Sequence, residues 1–260
     1  MVDAENFELH LLGTWSLLAA GRVVHLQLRE QRVVALLGLR GPQSRASLAG
    51  LLWPDSPEER SRANLRTSLM RIRRSLGGAV DTRRDIVSLS PSFAVDVGRL
   101  RAVLDRVEAG AGEAAKEPAS VLQVLRSPDL LAGWYDDWVL GERERLRHRR
   151  LWALERLGQE CLEAGRAADS VTFAEEAVGL EPLLESVVSL HIRALLLDGN
   201  LTAALREYHG FRERLRTELG VGPPAALTHL LRSAKAQRTG PGTAGPALVV
   251  PTRSPPRRRP

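Results

Sequence analysis

The 260-residue chain has one cysteine, Cys161, and two lysines, Lys116 and Lys235. A single thiol excludes an intramolecular disulfide and any multi-cysteine zinc site, which suits a reducing compartment. No glycine precedes either lysine, so no phosphate-binding loop of the Walker type can form. A glycine-rich dinucleotide fingerprint and a G-x-S-x-G nucleophile turn are also missing. The six histidines (His10, His25, His148, His191, His209 and His229) are scattered without metal-ligand spacing. No apolar run approaches the roughly 18 residues that a membrane span needs. The opening MVDAENFELH lacks the basic and apolar segments of a signal peptide. These absences point away from an enzyme, a cofactor and a membrane, and toward a cytoplasmic location.

What is present is arginine. Net charge is +6 and the sequence pI about 10.5, with almost all positive charge on guanidinium groups. That balance favours a polyanionic partner, and arginine suits bidentate contacts to phosphate and guanine. A GC-rich coding sequence produces the same preference for arginine over lysine.

The densest arginine segment is SPEERSRANLRTSLMRIRRSLG, residues 56–77. It reads as a helix capped by Ser56, with Pro57 at its first position, Glu59 completing a capping box, and Gly77 closing it. Leu65, Leu69, Ile72 and Leu76 form a narrow apolar stripe, and Thr67, Met70, Arg71 and Arg74 point away from it. Asn64 lies on one shoulder of that outer face; Arg62, Arg66 and Arg73 lie on the other. In isolation such a face is equally a solvated helix surface.

Context favours a reader of DNA. Short strand-like runs occupy 7–28. Two helices follow, Arg29–Arg40 and one capped by Ser44, with Pro54 after its end. After residue 78 come Val80–Thr82 and Ile86–Leu89, joined around Arg83, Arg84 and Asp85, and then the alternating Phe93, Val95 and Val97. Strands, three helices and a basic-tipped hairpin follow the order of a winged helix-turn-helix whose third helix enters the major groove.

From residue 99 onward the pattern is helical, broken by the Gly/Ala-rich stretch 109–115. A long charged helix spans about 138–164, and its GERERLRHRR run reads as a solvated or interdomain face because Glu142 and Glu144 are interleaved. Beyond residue 150 the chain matches itself at a shift of 34: Gly165 with Gly199, Leu154 with Val188, Cys161 with Leu195, and Ala174 with Tyr208. That is the period of tetratricopeptide repeats. Val221–Lys235 is expected to close the stack, and Cys161 to be a core position. Residues 237–260, rich in Pro and Gly and with three arginines, Arg257–Arg259, before the last proline, are expected to be a disordered basic tail.

The strings LREQRVVALLGLRG and LLWPDSPEERSRANLRTSLMRIRR resemble the DNA-binding domain of the Streptomyces antibiotic regulatory proteins. The segment from about 99 to 236, including REYHGFRERLRTELGVGPPAAL, resembles the bacterial transcriptional activation domain paired with it. The resemblance implies a mainly α fold with a small β part: an OmpR-like winged helix-turn-helix over 1–98, then a tetratricopeptide-like all-α helical repeat domain over 99–236. It implies an activator that binds direct repeats in double-stranded promoter DNA as a homodimer or side-by-side protomers. Such a protein recruits RNA polymerase holoenzyme through its sigma factor, usually at antibiotic gene clusters, and is located on the nucleoid. Carried onto matching positions, Ser61–Ser75 becomes the recognition helix and Arg83-Arg84 the wing tip. Asn64, Thr67, Arg71 and Arg74 are then base-facing; Arg62, Arg66, Arg73, Arg83 and Arg84 contact the backbone. The chain looks like a small, stand-alone member, without the ATPase module of larger relatives. An interaction scaffold built on the repeats, and a repressor using the same DNA contacts, are the alternatives.

Overall fold

A computed structural model describes residues 6–239 of the chain; most of the tail expected from 237 onward lies outside them. The chain opens with β1 (Phe7–His10), β2 (Ser16–Ala19) and β3 (Arg22–Val23). Alternation in β1 buries Phe7 and Leu9 on one face, as its period-two pattern requires. At the end of the strand-like stretch only Arg22–Val23 pairs, residues 24–27 carry no strand, and helix α1 (Leu28–Arg40) begins one residue before Arg29. Next come β4 (Gln43–Ser44), α2 (Arg45–Leu52) and α3 (Glu58–Leu76), followed by a short 3-10 turn. The strands β5 (Val80–Arg83), β6 (Ile86–Leu89) and β7 (Phe93–Val95) complete this part.

Two sheets result. β7 joins the first in parallel with β1, giving the order β3-β2-β1-β7, and Phe7 stacks on Phe93 at 4.7 Å between ring centroids. The second sheet has the order β4-β6-β5, and its β5–β6 hairpin is the wing. Arg84 sits in the wing turn at φ +54°, the left-handed backbone that a tight hairpin demands.

All four stripe residues of α3 are buried: Leu65, Leu69, Ile72 and Leu76. The start of the helix differs from expectation. Pro57 holds an extended ψ of 145° and takes the N-cap position, so Ser56 lies one residue too early to cap. Ser61 ties down the entry instead. Its hydroxyl lies within hydrogen-bond distance of three carbonyl oxygens, those of Trp53, Ser56 and Pro57, at 3.1–3.3 Å. Glu58 and Glu59 at the first turn, with Arg73 and Arg74 at the last, match the helix dipole. Ser44 caps α2 by accepting from the Ser47 N–H at 3.1 Å, as the sequence indicates.

The helical part comprises α4 (Val97–Ala109), α5 (Ala111–Ala114), α6 (Pro118–Leu125), α7 (Asp137–Glu163), α8 (Ala167–Leu180), α9 (Glu185–Leu197), α10 (Leu201–Leu219) and α11 (Ala225–Thr239). The 109–115 break therefore contains one short helical turn. Gly165 and Gly199, 34 residues apart, both turn one helix into the next with φ of +71° and +77°. Leu154, Val188, Cys161 and Leu195 are all buried at matching places. Gly158 permits a close approach of α9: a Cβ there would lie 2.9 Å from Leu190 Cδ2, and the Ser170 hydroxyl donates to its carbonyl at 2.8 Å. α11 starts at Ala225 rather than Val221, since Pro223 and Pro224 leave residues 221–224 outside the helix.

A main-chain ladder joins the two parts. Gly13 N–H donates to Asp129 O, Leu131 N–H to Leu11 O, and Ala132 N–H to Gly13 O, at 2.7–2.8 Å. Asp96 sits at the same seam, where its carboxylate accepts from the N–H groups of Leu11, Leu12 and Val97 at 2.8–3.0 Å. Across it, the Arg40 guanidinium reaches the buried Glu142 at 2.9 Å, and Arg32 reaches Asp136 at 3.1 Å. Among the described residues, no helix is long and apolar enough to cross a membrane.

Candidate nucleic-acid interface

A 19-residue helix is about 28 Å long, enough to run along one face of a duplex groove. Its buried stripe fixes the opposite face. Ala63, Thr67, Met70 and Arg74 follow one another at i, i+4, i+7 and i+11, directly across from the core. Thr67 is exposed, and its hydroxyl donates back to the Ala63 carbonyl at 3.1 Å. Arg74 is exposed and makes no ion pair or side-chain hydrogen bond among the described residues.

One shoulder faces the wing. Arg62, Arg66 and Arg73 lie here, as the helical spacing predicts. Arg62 pairs with Glu58 at 2.6 Å, and Arg66 is unpaired among the described residues. Arg73 donates to the Thr82 hydroxyl of β5 at 2.7 Å, which fixes the hairpin to the helix. Arg83 pairs with Asp81 at 2.8 Å on the exposed wing, while Arg84 at the turn has no such partner.

Arg45, to which sequence reasoning assigned no role, belongs to this shoulder. Its N–H donates to the Asp85 carbonyl in the wing turn at 2.9 Å, and its side chain lines two shallow hollows. In one it meets Arg62, Arg66, Glu58 and Asp85; in the other, Arg66, Met70, Arg73 and Arg74. Its place after the Ser44 cap was readable. That it meets α3 and the wing is a tertiary fact.

The other shoulder faces the start of α1. Arg71 donates to Gln27 Oε1 at 2.9 Å and lies 3.6 Å from Glu30 Oε1, whose carboxylate is almost wholly buried. Arg71 is thus held at the edge of the face rather than free in solvent. Asn64, on the same side, is half-buried.

The GERERLRHRR run is engaged within the chain. Arg143 donates to the carbonyls of Leu130, Leu131 and Trp134, and buried Arg150 to those of Ser127 and Pro128. Hydrogen bonds to Glu181 raise the pKa of Arg147, and those to Glu108 and Asp105 raise that of Arg149. Desolvation lowers the pKa of Arg150. This run welds α7 to its neighbours and to the 127–134 segment.

His191 is buried beside Glu207 at 3.7 Å, and burial pulls its pKa down. Cys161 is a free, buried thiol, and burial pushes its pKa up. Among the described residues no cluster of His, Cys, Asp and Glu could hold a metal ion.

Comparison with known proteins gives a consistent picture. The family described as bacterial transcriptional activator domain matches residues 95–234. Transcriptional regulatory protein MoaR1 of Mycobacterium tuberculosis is 28% identical over 246 residues, covering 86% of this chain and 77% of that protein. Regulatory protein AfsR of Streptomyces coelicolor is 30% identical over 223 residues, covering 75% of this chain but 22% of that much longer protein. Among solved structures, Mycobacterium tuberculosis EmbR in complex with a low affinity phosphopeptide superposes with a TM-score of 0.70 at 21% identity. That match covers 90% of this chain and 66% of the other, and it establishes the shared fold: winged helix plus helical part. The relatives are transcriptional regulators, not enzymes.

Proposed function

We propose, since this chain belongs to the bacterial transcriptional activator domain family, that it activates promoters by reading duplex DNA with α3. It is a transcriptional regulator of the Streptomyces antibiotic regulatory protein type. Residues 1–98 act as the DNA-binding unit and 99–236 as the activation unit. Arg74, Arg71, Thr67 and Asn64 face bases. Arg62, Arg66, Arg73, Arg83 and Arg84, joined by Arg45, hold phosphates. The protomers lie side by side on direct repeats, and the helical part recruits RNA polymerase through its sigma factor. The regulated genes are those of secondary metabolism, and the protein works in the cytoplasm on the nucleoid.

One observation carries this reading. The outward row of α3, the arginine-lined hollows beside it and the wing turn lie on one side of the molecule, with Arg66, Arg74 and Arg84 unpaired among the described residues. Unneutralised guanidinium groups are what a phosphate backbone requires.

The scaffold alternative places its partner on the face between α7 and α9, where Trp152 is exposed beside Arg156 and Arg193. Gel shifts on promoters flanking the chain's own gene separate the two. Retardation at moderate salt that weakens steeply as salt rises is expected; free probe at every protein concentration favours the scaffold. In vitro transcription with purified polymerase then distinguishes activation from repression. More transcript from the bound promoter is the expected outcome, and less transcript means the chain represses.

A further inference from the structure

Met70 sits in the middle of the outward row of α3 and exposes 47% of its surface. Single exposed apolar residues are ordinary. This one is set apart by its position. It lies in the hollow formed by Arg45, Arg66, Arg73 and Arg74, with Thr67 one turn before it and Arg74 one turn after. The Thr67 hydroxyl spends its proton on the Ala63 carbonyl. The centre of the face, Ala63, Thr67 and Met70, is therefore poor in donors, while its flanks are cationic.

A cationic rim around an apolar centre matches the major groove at a particular base. Phosphates lie along the groove's edges. The apolar group that the major-groove edges of the bases present is the C5-methyl of thymine. We propose that Met70 is a specificity-determining residue that reads a thymine by seating its side chain against that methyl. The thioether is unbranched and polarizable, so it adjusts to the methyl without a fixed rotamer. The inference rests on the reading of α3 as the DNA reader, and adds to it the base for which the apolar centre selects.

The test uses the full chain and a duplex selected by it from a random library. Each thymine of the selected site is replaced in turn by uracil, which removes the methyl and keeps every hydrogen-bonding group. At one thymine per repeat the swap is expected to weaken the wild-type chain about fourfold, the factor for losing one buried methyl contact. Met70→Ala is expected to bind the thymine duplex about fourfold more weakly and to be indifferent to that same swap. Met70→Leu is expected to restore the discrimination, and Met70→Gln to lack it. Alanine favours helix at least as well as methionine, and the position is exposed, so folding is preserved.

Uracil swaps that cost wild type and Met70→Ala equally at every position would overturn the inference while leaving α3 as the reader. A library from which the chain retains no preferred duplex would overturn the reader itself, and the role of Met70 with it.

Discussion

Arg74→Ala is expected to cost the preferred duplex roughly 1–3 kcal/mol and to relax selection at one base pair. Folding should be unaffected, because Arg74 has no partner to lose among the described residues. Arg71→Ala is expected to cost a similar amount in binding and something in stability as well. Glu30 is almost wholly buried, and the guanidinium 3.6 Å away is the cation beside it. Removing one side of such a contact leaves a desolvated carboxylate behind. Arg73→Ala should behave differently from both. It weakens binding to all sequences alike and flattens the dependence of log affinity on log salt by about one. Fluorescence titrations on matched and scrambled duplexes at several salt concentrations, with a thermal melt of each variant, separate the three patterns. Equal loss on every sequence for Arg74→Ala would remove it from the base-reading set.

The second large effect lies away from DNA. Glu142→Ala is expected to destabilise the chain by about 2–3 kcal/mol, read as a lower urea midpoint at unchanged slope. Glu142 accepts from Arg40 at 2.9 Å across the seam between the winged helix and the helical part, and from Arg145, one turn on in α7, at 3.1 Å. The figure sits below that for a fully buried pair because Arg40 is partly exposed and Arg145 mostly so. Base preference should be unchanged wherever the variant remains folded. The main-chain ladder of 11–13 with 129–132 makes the two parts unfold together, so wild type should show one transition by every probe.

Local rules made much of this molecule legible. The buried stripe of α3 follows from spacing alone, and so does the wing between two runs of β-formers. The turn glycines at 165 and 199 announce themselves by period. What escaped is what depends on distant neighbours. Ser56 looked like the cap of α3, yet Pro57 claims that place and Ser61 holds the entry from within the helix. Arg71 and Arg74 look alike in sequence, but only Arg71 finds Gln27 and Glu30, 44 and 41 residues earlier. Arg45 and Met70 gain meaning only when α2 packs beside α3 and the two line one hollow. The GERERLRHRR run reads in the sequence as a solvated or interdomain face, and Glu142 does meet Arg40 across the seam, but nothing local indicates that Arg143 and Arg150 serve backbone carbonyls.

The central claim is that α3 lies in the major groove of promoter DNA. Methylation interference on the bound promoter, with guanine N7 modified by dimethyl sulfate, tests it most directly. The account predicts guanines whose N7 methylation abolishes binding, recurring at intervals of about one helical turn, 10–10.5 base pairs, for protomers lying side by side. It also predicts that Arg74→Ala or Arg71→Ala erases interference at one guanine in each repeat. Binding indifferent to N7 methylation but blocked by methylation of adenine N3 in the minor groove would contradict it.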